Sequence, residues 1–289
     1  MEGNQAYTVL IFYTYQTISE PEKVASWLRS LAQKHSLTGR AIVAGEGINA
    51  TFEGATDDTK RFSLAFKADP QFAQVWIKTS IGTGHSFPKL SVKVREEIVG
   101  TRFPKEVDPR VKTAPHLKPE ELKQWYENDK DFVVVDMRNS YEIASGHFKN
   151  SIDPGLNNSR DLPQAVEKLG DLKDKTVLTV CTAGIRCEKM SAYLMNAGFK
   201  DVYQLVGGIH TYMEKFPGED FEGTLYTFDN RLTMDFGGER KVVGKCRLCE
   251  GATERYVNCA NNECHLHFLA CENCAPDATL AYCGSCQPA

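Results

Sequence analysis

Residues 7–78 alternate between the apolar periodicities of strand and helix. Tyr7 to Tyr15 is rich in aromatic and branched side chains, which is typical of a strand, whereas Val24, Leu28 and Ala32 share one helical face. The predicted elements are a strand from Tyr7 to Tyr15, a helix beginning at Pro21, strands from Arg40 to Ala44 and from Ile48 to Phe52, a helix from Thr56 to Ala68, and a strand from Ala73 to Lys78. This β-α-β-β-α-β order predicts a ferredoxin-like (acylphosphatase-like) α+β domain over residues 1–88.

A second alternating pattern begins near Pro115, after a connecting segment at 89–114 that contains one strand from Leu90 to Arg95. The predicted elements are helix Pro119 to Tyr126, strand Phe132 to Asp136, helix Asp161 to Leu169, strand Thr176 to Val180, helix Cys187 to Ala197, strand Val202 to Val206 and helix Ile209 to Lys215. Strands that alternate with helices predict a parallel sheet covered by helices. The second domain therefore spans 115–218 and makes the chain α/β overall.

The remaining residues, 219–289, contain few periodic apolar positions and most of the cysteines. Eight cysteines lie between 246 and 286, as three Cys-x2-Cys pairs and one Cys-x4-Cys pair: Cys246, Cys249, Cys259, Cys264, Cys271, Cys274, Cys283 and Cys286. Eight thiolates suffice for two tetrahedral zinc sites, and one arrangement is interleaved, with the first and third pairs on one zinc. His265 or His267 could replace Cys259 or Cys264, and the spacing leaves that choice open. We expect a small cysteine-rich module with two structural zinc ions.

The amino-acid composition and the distribution of apolar residues exclude two classes of protein. Hydrophobic residues make up 42% of the 289 residues and charged residues 25%, which excludes a chain that is disordered throughout. No stretch approaches the ~18 apolar residues that a membrane span needs, and Met1 to Gln5 lack the basic segment of a signal peptide. We therefore expect a cytoplasmic protein without a membrane partner, in which the thiols stay reduced and disulfides are the less favoured use of the cysteines.

The net charge of −4 hides a basic segment: residues 89–118 carry eight basic and four acidic side chains. Local positive charge can contact phosphates even on an acidic protein, because counterion release depends on the contacting face. The alternative is an ordinary solvated linker. The candidate phosphate-contacting residues, called the basic strip below, are Lys89, Lys93, Arg95, Arg102, Lys105, Arg110 and Lys112.

The candidate active site is the segment from Cys181 to Cys187. The first 180 residues contain no cysteine, and these two stand apart from the eight of the cysteine-rich segment. A buried strand delivers Cys181 to the carboxyl edge of the predicted sheet, where ligand sites of α/β proteins lie. The loop residues Thr182, Ala183, Gly184 and Ile185 then lead into a helix, so that backbone N–H groups, the helix dipole and Arg186 all favour a thiolate. Cys187 either resolves a persulfide at Cys181 by forming a disulfide or merely fills the helix start. For Cys181 itself, the alternative is a buried core cysteine.

This loop, Cys-x4-Arg after a strand, resembles the active-site loop of rhodanese domains. The supporting motifs, in family order, are Asp136-Met137-Arg138, Tyr141-Glu142, Gly146-His147 and Gly207-Gly208. The resemblance implies that Cys181 can carry a persulfide sulfur. Dual-specificity phosphatases resemble this loop but have five residues between cysteine and arginine. The four found here make a smaller cradle, which suits a single sulfur atom or the edge of a planar base better than a tetrahedral oxyanion.

Over nearly its full length the chain resembles the rhodanese-related, oxygen-dependent tRNA uridine hydroxylases. The further motifs are Gly45-Glu46-Gly47-Ile48-Asn49 in the first domain and Asn258-Cys259-Ala260-Asn261 in the last. The resemblance implies conversion of the wobble uridine in the tRNA anticodon loop to 5-hydroxyuridine by a monooxygenase that uses Cys181 and Arg186, with molecular oxygen as co-substrate. Ala183 departs from the glycine expected there.

Two alternatives remain open at this point: a persulfide sulfurtransferase with a small-molecule or protein acceptor, and a non-catalytic adaptor. No Gly-x-Gly-x-x-Gly loop and no two-histidine-one-carboxylate cluster is evident, so we expect no flavin, nicotinamide or haem cofactor. No obligate protein partner is indicated.

Overall fold

The computed structural model describes residues 6–239 and 241–286. They form two compact units, one of residues up to Arg102 with 109–111 and 228–231, the other of 103–108, 112–227 and the residues from Leu232 onward. Within the described ranges, no helix is both long and apolar enough to cross a bilayer.

The first unit is a five-stranded sheet with two helices on one face. Its elements are β1 (Tyr7–Tyr15), α1 (Pro21–Lys34), β2 (Thr38–Ala44), β3 (Gly47–Ala55), α2 (Thr56–Lys67), β4 (Ile77–Gly82) and β5 (Leu90–Val94), with strand order β4-β1-β3-β2-β5. Phe12, Phe52, Phe62 and Phe66 form the centre of the core between sheet and helices. The predicted α+β fold of this domain is confirmed.

Two elements of the first unit differ from the prediction. The strand predicted from Ala73 to Lys78 begins at Ile77, because the preceding residues form turns that direct Phe72 and Val75 into the core. The strand predicted inside the connecting segment, observed as Leu90–Val94, pairs in parallel with β2 and completes this sheet. Much of the basic segment therefore belongs to the first unit.

A strap of residues 228–231 also belongs to the first unit. Arg231 donates from Nη1 to Ser80 Oγ at 2.9 Å and to the Ile81 carbonyl at 2.8 Å, along the edge strand β4. The backbone N–H of Asn230 donates to the Ser86 carbonyl at 3.0 Å. Asp229 holds the guanidinium of Arg231 through an ion pair at 2.6 Å.

The second unit contains the predicted parallel sheet, in the order β6-β11-β10-β7-β9. Its elements are β6 (His116–Leu117), α3 (Pro119–Glu127), β7 (Val133–Asp136), α4 (Ser140–Ile143), β8 (Gly146–Phe148), β9 (Ser151–Ile152), α5 (Leu162–Lys168), β10 (Thr176–Val180), α6 (Ile185–Asn196), β11 (Asp201–Leu205), α7 (Gly208–Lys215), β12 (Phe221–Gly223), β13 (Leu225–Tyr226), β14 (Thr233–Met234), β15 (Tyr256–Asn258) and β16 (His267–Leu269). Helices α5 and α6 pack on one face of the sheet and α3 and α7 on the other.

The segment after α7 is attached to this sheet domain through strand pairing. β12 pairs antiparallel with β8, and β15 pairs with β16 in a hairpin of the cysteine-rich segment. The small apolar cluster of that segment centres on Cys246, Val257, Phe268 and Cys283. Because so little apolar surface is available there, the segment needs a further source of stability.

Candidate active site and cysteine clusters

Cys181 directly follows β10 and begins the loop that leads into α6. Gly184 adopts φ +99° at the start of the helix, a conformation that glycine reaches without strain, and its backbone N–H donates to Cys181 Sγ at 3.2 Å. Thr182 and Ile185 are half-buried, while Cys181, Ala183 and Gly184 are buried. The loop thus curls around the sulfur as expected, and the sulfur is closed to solvent in this conformation.

The start of α7 fixes the other side of this loop. The backbone N–H of Ile209 donates to the Cys181 carbonyl at 2.9 Å, and that of His210 donates to the Thr182 carbonyl at 3.0 Å. A Cβ on Gly208 would lie 2.4 Å from the Cys181 carbonyl oxygen, so only glycine permits this approach. These two hydrogen bonds fix the loop backbone against the start of α7.

Arg186 is held beside the loop by a carboxylate from α4. Glu142 Oε1 accepts from Arg186 Nη1 at 2.6 Å and Oε2 accepts from Nη2 at 2.8 Å, while Nη2 also donates to Thr182 Oγ1 at 3.1 Å. The Glu142 side chain is fully buried. In the sequence, Glu142 stands out only as part of the Tyr141-Glu142 motif, and its pairing with Arg186 is not predicted. The Asn139-x-x-Glu142 capping pattern is the signal that indicates the short helix.

A second buried ion pair, between Asp136 and Arg138, holds the backbone at the end of α4. Asp136 binds the fully buried guanidinium of Arg138, with Oδ2 and Nη2 2.7 Å apart. Arg138 in turn donates to the carbonyls of Glu142 at 3.2 Å and Gly146 at 2.7 Å. The Asp-x-Arg motif thus fixes the backbone that carries Glu142.

The local environment favours one thiolate and one thiol. Burial raises the pKa of Cys181, but a hydrogen bond from the Cys187 thiol, the charge of Arg186 and the backbone N–H groups of Cys187 and Arg186 together lower it from 9.0 to about 5. Burial and the bond to Cys181 raise the pKa of Cys187 well above 9.0. Burial lowers the pKa of Arg186, but the Glu142 carboxylate raises it more, so the guanidinium stays charged. Near neutral pH, Cys181 is therefore the thiolate of the pair and Cys187 the thiol.

The cysteine-rich segment gathers its thiols into two groups of four, within each of which the sulfur atoms lie within 4.8 Å of one another. The first group is Cys246, Cys249, Cys271 and Cys274, and the second is Cys259, Cys264, Cys283 and Cys286. Four convergent thiols fit a tetrahedral metal ion such as zinc. His267 is outside both groups: its Nδ1 lies 2.8 Å from Asn258 Oδ1 and its Nε2 3.3 Å from Tyr226 Oη. His265 is likewise outside both groups.

All seven residues of the basic strip are exposed. Lys89, Lys93, Arg95, Arg102 and Arg110 belong to the first unit, and Lys105 and Lys112 to the second. Lys93 alternates along β5 with the buried Val92, so it lies on the sheet face opposite the helices. Each unit thus presents part of the strip to solvent.

Three family models match successive parts of the chain. Residues 7–98 match a UPF0176 acylphosphatase-like domain, 118–215 a rhodanese-like domain and 222–287 a domain described as rhodanase C-terminal. The matched boundaries agree with the order of sheet domains and cysteine clusters in the structure.

Whole-length relatives carry a functional name. A protein of Corynebacterium kroppenstedtii is 39% identical over 97% of this chain and 98% of its own length. One of Corynebacterium jeikeium is 41% identical over 96% of this chain and 92% of its own. One of Cytophaga hutchinsonii is 40% identical over 93% and 86%, respectively. Each is named tRNA uridine(34) hydroxylase.

Proposed function

The chain belongs to the tRNA uridine(34) hydroxylase family, and we propose that it converts uridine 34 of tRNA, in the anticodon loop, to 5-hydroxyuridine with oxygen as co-substrate. The observation that carries the proposal is the cradle of Cys181, in which a buried sulfur with a pKa of about 5 faces loop N–H groups and a fixed Arg186. Such a site supplies a soft nucleophile at neutral pH.

The proposed chemistry begins with addition of the Cys181 thiolate to C6 of uracil. The addition leaves an electron-rich, enolate-like C5. A soluble two-electron donor, such as a thiol, reduces the oxygen co-substrate to hydrogen peroxide. C5 attacks one oxygen atom of this peroxide and breaks the O–O bond, so that one oxygen stays on C5 and the other leaves as water after protonation. Loss of the C5 proton and expulsion of the Cys181 thiolate restore the double bond. The oxidant loses its O–O bond as C5 is oxidised, so the electrons balance without a bound redox cofactor.

Residues around the sulfur have separate proposed roles. Arg186 and the loop N–H groups stabilise the thiolate and the charge that develops on the uracil carbonyl oxygen. The S–H group of Cys187 donates a hydrogen bond to the Cys181 sulfur, and Thr182 to Ile185 form the cradle. Glu142 orients Arg186. The two cysteine groups each hold a structural zinc ion, as their four thiol donors suit that metal.

Binding of the tRNA requires contacts beyond the sulfur. We assign phosphate contacts to the basic strip, whose side chains are all exposed. Single-stranded loop bases unstack at low cost, so uridine 34 can leave its neighbours and reach the cradle. Because its proposed substrate is tRNA, we infer that the protein acts in the cytoplasm.

The decisive experiment compares Cys181→Ser with Cys187→Ser. Mass spectrometry of nucleosides from tRNA treated with each variant should show no 5-hydroxyuridine with Cys181→Ser, with tRNA binding retained, and residual product with Cys187→Ser. A tRNA that carries 5-fluorouridine at position 34 should trap an adduct on the peptide Thr176–Arg186. Turnover by Cys181→Ser would overturn the proposed mechanism.

The full burial of Cys181 favours one alternative enough to test it. A single sulfur atom fits the small loop, and a persulfide would place its outer sulfur about 2 Å beyond Sγ. Trypsin cleaves after Lys175, Arg186 and Lys189, so Cys181 and Cys187 fall in different peptides. A mass gain of one sulfur on the first peptide, with rapid thiocyanate release from thiosulfate and cyanide, would favour sulfur transfer; silence in both favours hydroxylation by the thiolate.

A further inference from the structure

A tyrosine of the cysteine-rich segment reaches the helix that carries Glu142. Tyr256 Oη donates to the Tyr141 carbonyl at 2.6 Å, and its side chain is buried. Tyr141 immediately precedes Glu142 in α4, whose carboxylate binds Arg186. One hydrogen bond thus joins β15 to α4, the helix whose Glu142 carboxylate binds Arg186.

This bond acts at a structurally weak point. α4 has only four residues, and a single turn of helix has little stability of its own, so tertiary contacts determine whether it forms. The last carbonyls of a helix also lack partners within it. The Tyr256 hydroxyl supplies one for Tyr141 and is hydrogen-bonded in turn by Ser145, just beyond the end of α4. The hydroxyl thereby connects Tyr141 within α4 to Ser145, which lies two residues after the end of the helix.

The Tyr256 ring is itself held firmly. It stacks on His267 with centroids 4.9 Å apart and planes at 9°, and Tyr226 packs against it edge-on at 5.0 Å. His267 lies on the partner strand β16, opposite Asn258 in the hairpin register. The hairpin therefore presents the hydroxyl in one fixed direction.

Both cysteine groups adjoin that hairpin. Cys259 of the second group directly follows β15, and Cys271 of the first group lies two residues after the end of β16. A metal ion in each group would fix the hairpin at both ends, since a bound ion restrains all four of its ligands.

We propose that Tyr256 is a positioning residue for the active site: it holds α4 so that Glu142 keeps Arg186 beside the Cys181 sulfur, and the metal-binding module thereby sets the reactivity of that sulfur. The inference rests on the proposed role of Cys181 as the reacting thiol. It assigns the cysteine-rich segment a task beyond its own stability.

The test is Tyr256→Phe, which keeps the ring and removes only the hydroxyl. The matched control is Tyr226→Phe, whose hydroxyl lies 3.3 Å from His267 Nε2. Ultraviolet thiolate absorbance is titrated in the full-length metal-loaded protein, with the Cys181→Ser form of each variant as the blank. We expect the Cys181 midpoint to rise by about one unit in Tyr256→Phe, as when a cationic neighbour is displaced, and to stay unchanged in Tyr226→Phe. Metal content should be unchanged in both.

A catalytic readout separates positioning from a general loss of structure. In Tyr256→Phe, kcat for hydroxylation should fall while KM for tRNA stays constant. An unchanged midpoint in Tyr256→Phe, or an equal rise in Tyr226→Phe, would overturn the inference. The titration needs no tRNA, so its failure is distinct from failure of the proposed hydroxylation, which the Cys181→Ser assay measures separately.

Discussion

Glu142 and Arg186 form a bidentate ion pair next to Cys181, with Nη1–Oε1 and Nη2–Oε2 distances of 2.6 and 2.8 Å. The pair is shielded from solvent. The pair gives the guanidinium one orientation and leaves it free to donate to Thr182. A planar guanidinium matches a carboxylate in this way, and an ammonium does not. The active site therefore depends on a carboxylate that touches neither the sulfur nor the substrate in the proposed reaction.

Replacing Glu142 by glutamine should destabilise the second unit strongly. The substitution keeps the shape but leaves the buried Arg186 charge without its counter-charge, which typically costs about 3–5 kcal/mol. Hydrogen exchange of the β10 amides, Val177 to Val180, measures the change in the free energy of unfolding of this unit. Glu167→Gln, an exposed position on α5, is the control and should leave exchange unchanged. Equal exchange rates in both variants would contradict the importance of the pair.

The Cys181 thiol should titrate near pH 5. Thiolate absorbance against a Cys181→Ser blank reports it directly. Cys187→Ala should raise the midpoint, because it removes a hydrogen-bond donor to the sulfur, whereas Cys187→Ser retains a donor and should largely preserve it. Arg186, whose charge lowers the pKa of Cys181, and the Glu142 carboxylate that binds it are unchanged in both variants. Identical midpoints in the two variants would contradict the role of Cys187 as a donor.

The same pKa makes folding depend on pH with a definite sign. The folded-state pKa of Cys181 is lower than that of an ordinary thiol, so its contribution to stability is complete above about pH 9 and is lost as the pH falls toward 5. The stability difference between the wild-type protein and Cys181→Ser should therefore shrink on acidification over that range, which denaturant titrations at several pH values can measure. A difference that stays constant with pH would be inconsistent with a native thiolate.

Metal removal should unfold the cysteine-rich segment. We expect two zinc ions per chain by elemental analysis, and binding free energies of structural zinc are large, about 10–16 kcal/mol in small domains. A chelator should make the cluster thiols reactive and abolish the β15–β16 hairpin signals. Cys249→Ser should lower the zinc content toward one ion, while Cys187→Ser, outside both groups, should keep two. Metal-free protein with a native hairpin would refute this.

Neutralising part of the basic strip should weaken tRNA binding and reduce its dependence on salt. Lys93, Arg95 and Arg102 are exposed in the first unit, and each lost phosphate contact should reduce the salt slope by about 0.7–0.9. The triple alanine variant should therefore lose about two units of slope. The control removes equal charge elsewhere, at the exposed Lys34, Lys67 and Lys168. Equal salt slopes of tRNA binding in the two triple variants would indicate that the strip is an ordinary solvated segment.

The pattern of apolar residues was sufficient to predict both sheet domains, because strand and helix periods are local properties of the sequence. The sequence predicts β5 only as part of a connection, because its pairing with β2 spans some fifty residues and no local signal reports such a partner. The same limit hid Glu142: the loop from Cys181 to Arg186 was evident as a motif, but the carboxylate that orients the arginine lies more than forty residues earlier. Likewise, the role proposed for the Tyr256 hydroxyl follows only from its contact with the Tyr141 carbonyl of α4, which no local sequence pattern indicates.

The strap of residues 228–231 has a consequence for how the chain can be divided. β4 lies at the edge of its sheet, and Ile81 on it is 88% exposed. Arg231 occupies the Ile81 carbonyl and the Ser80 hydroxyl there. An open edge strand with unpaired carbonyls invites pairing with another chain. A fragment that ends near Arg102 would lack this protection, so the first unit made alone should self-associate through β4, and a fragment supplied with a tethered 228–231 peptide should remain monomeric.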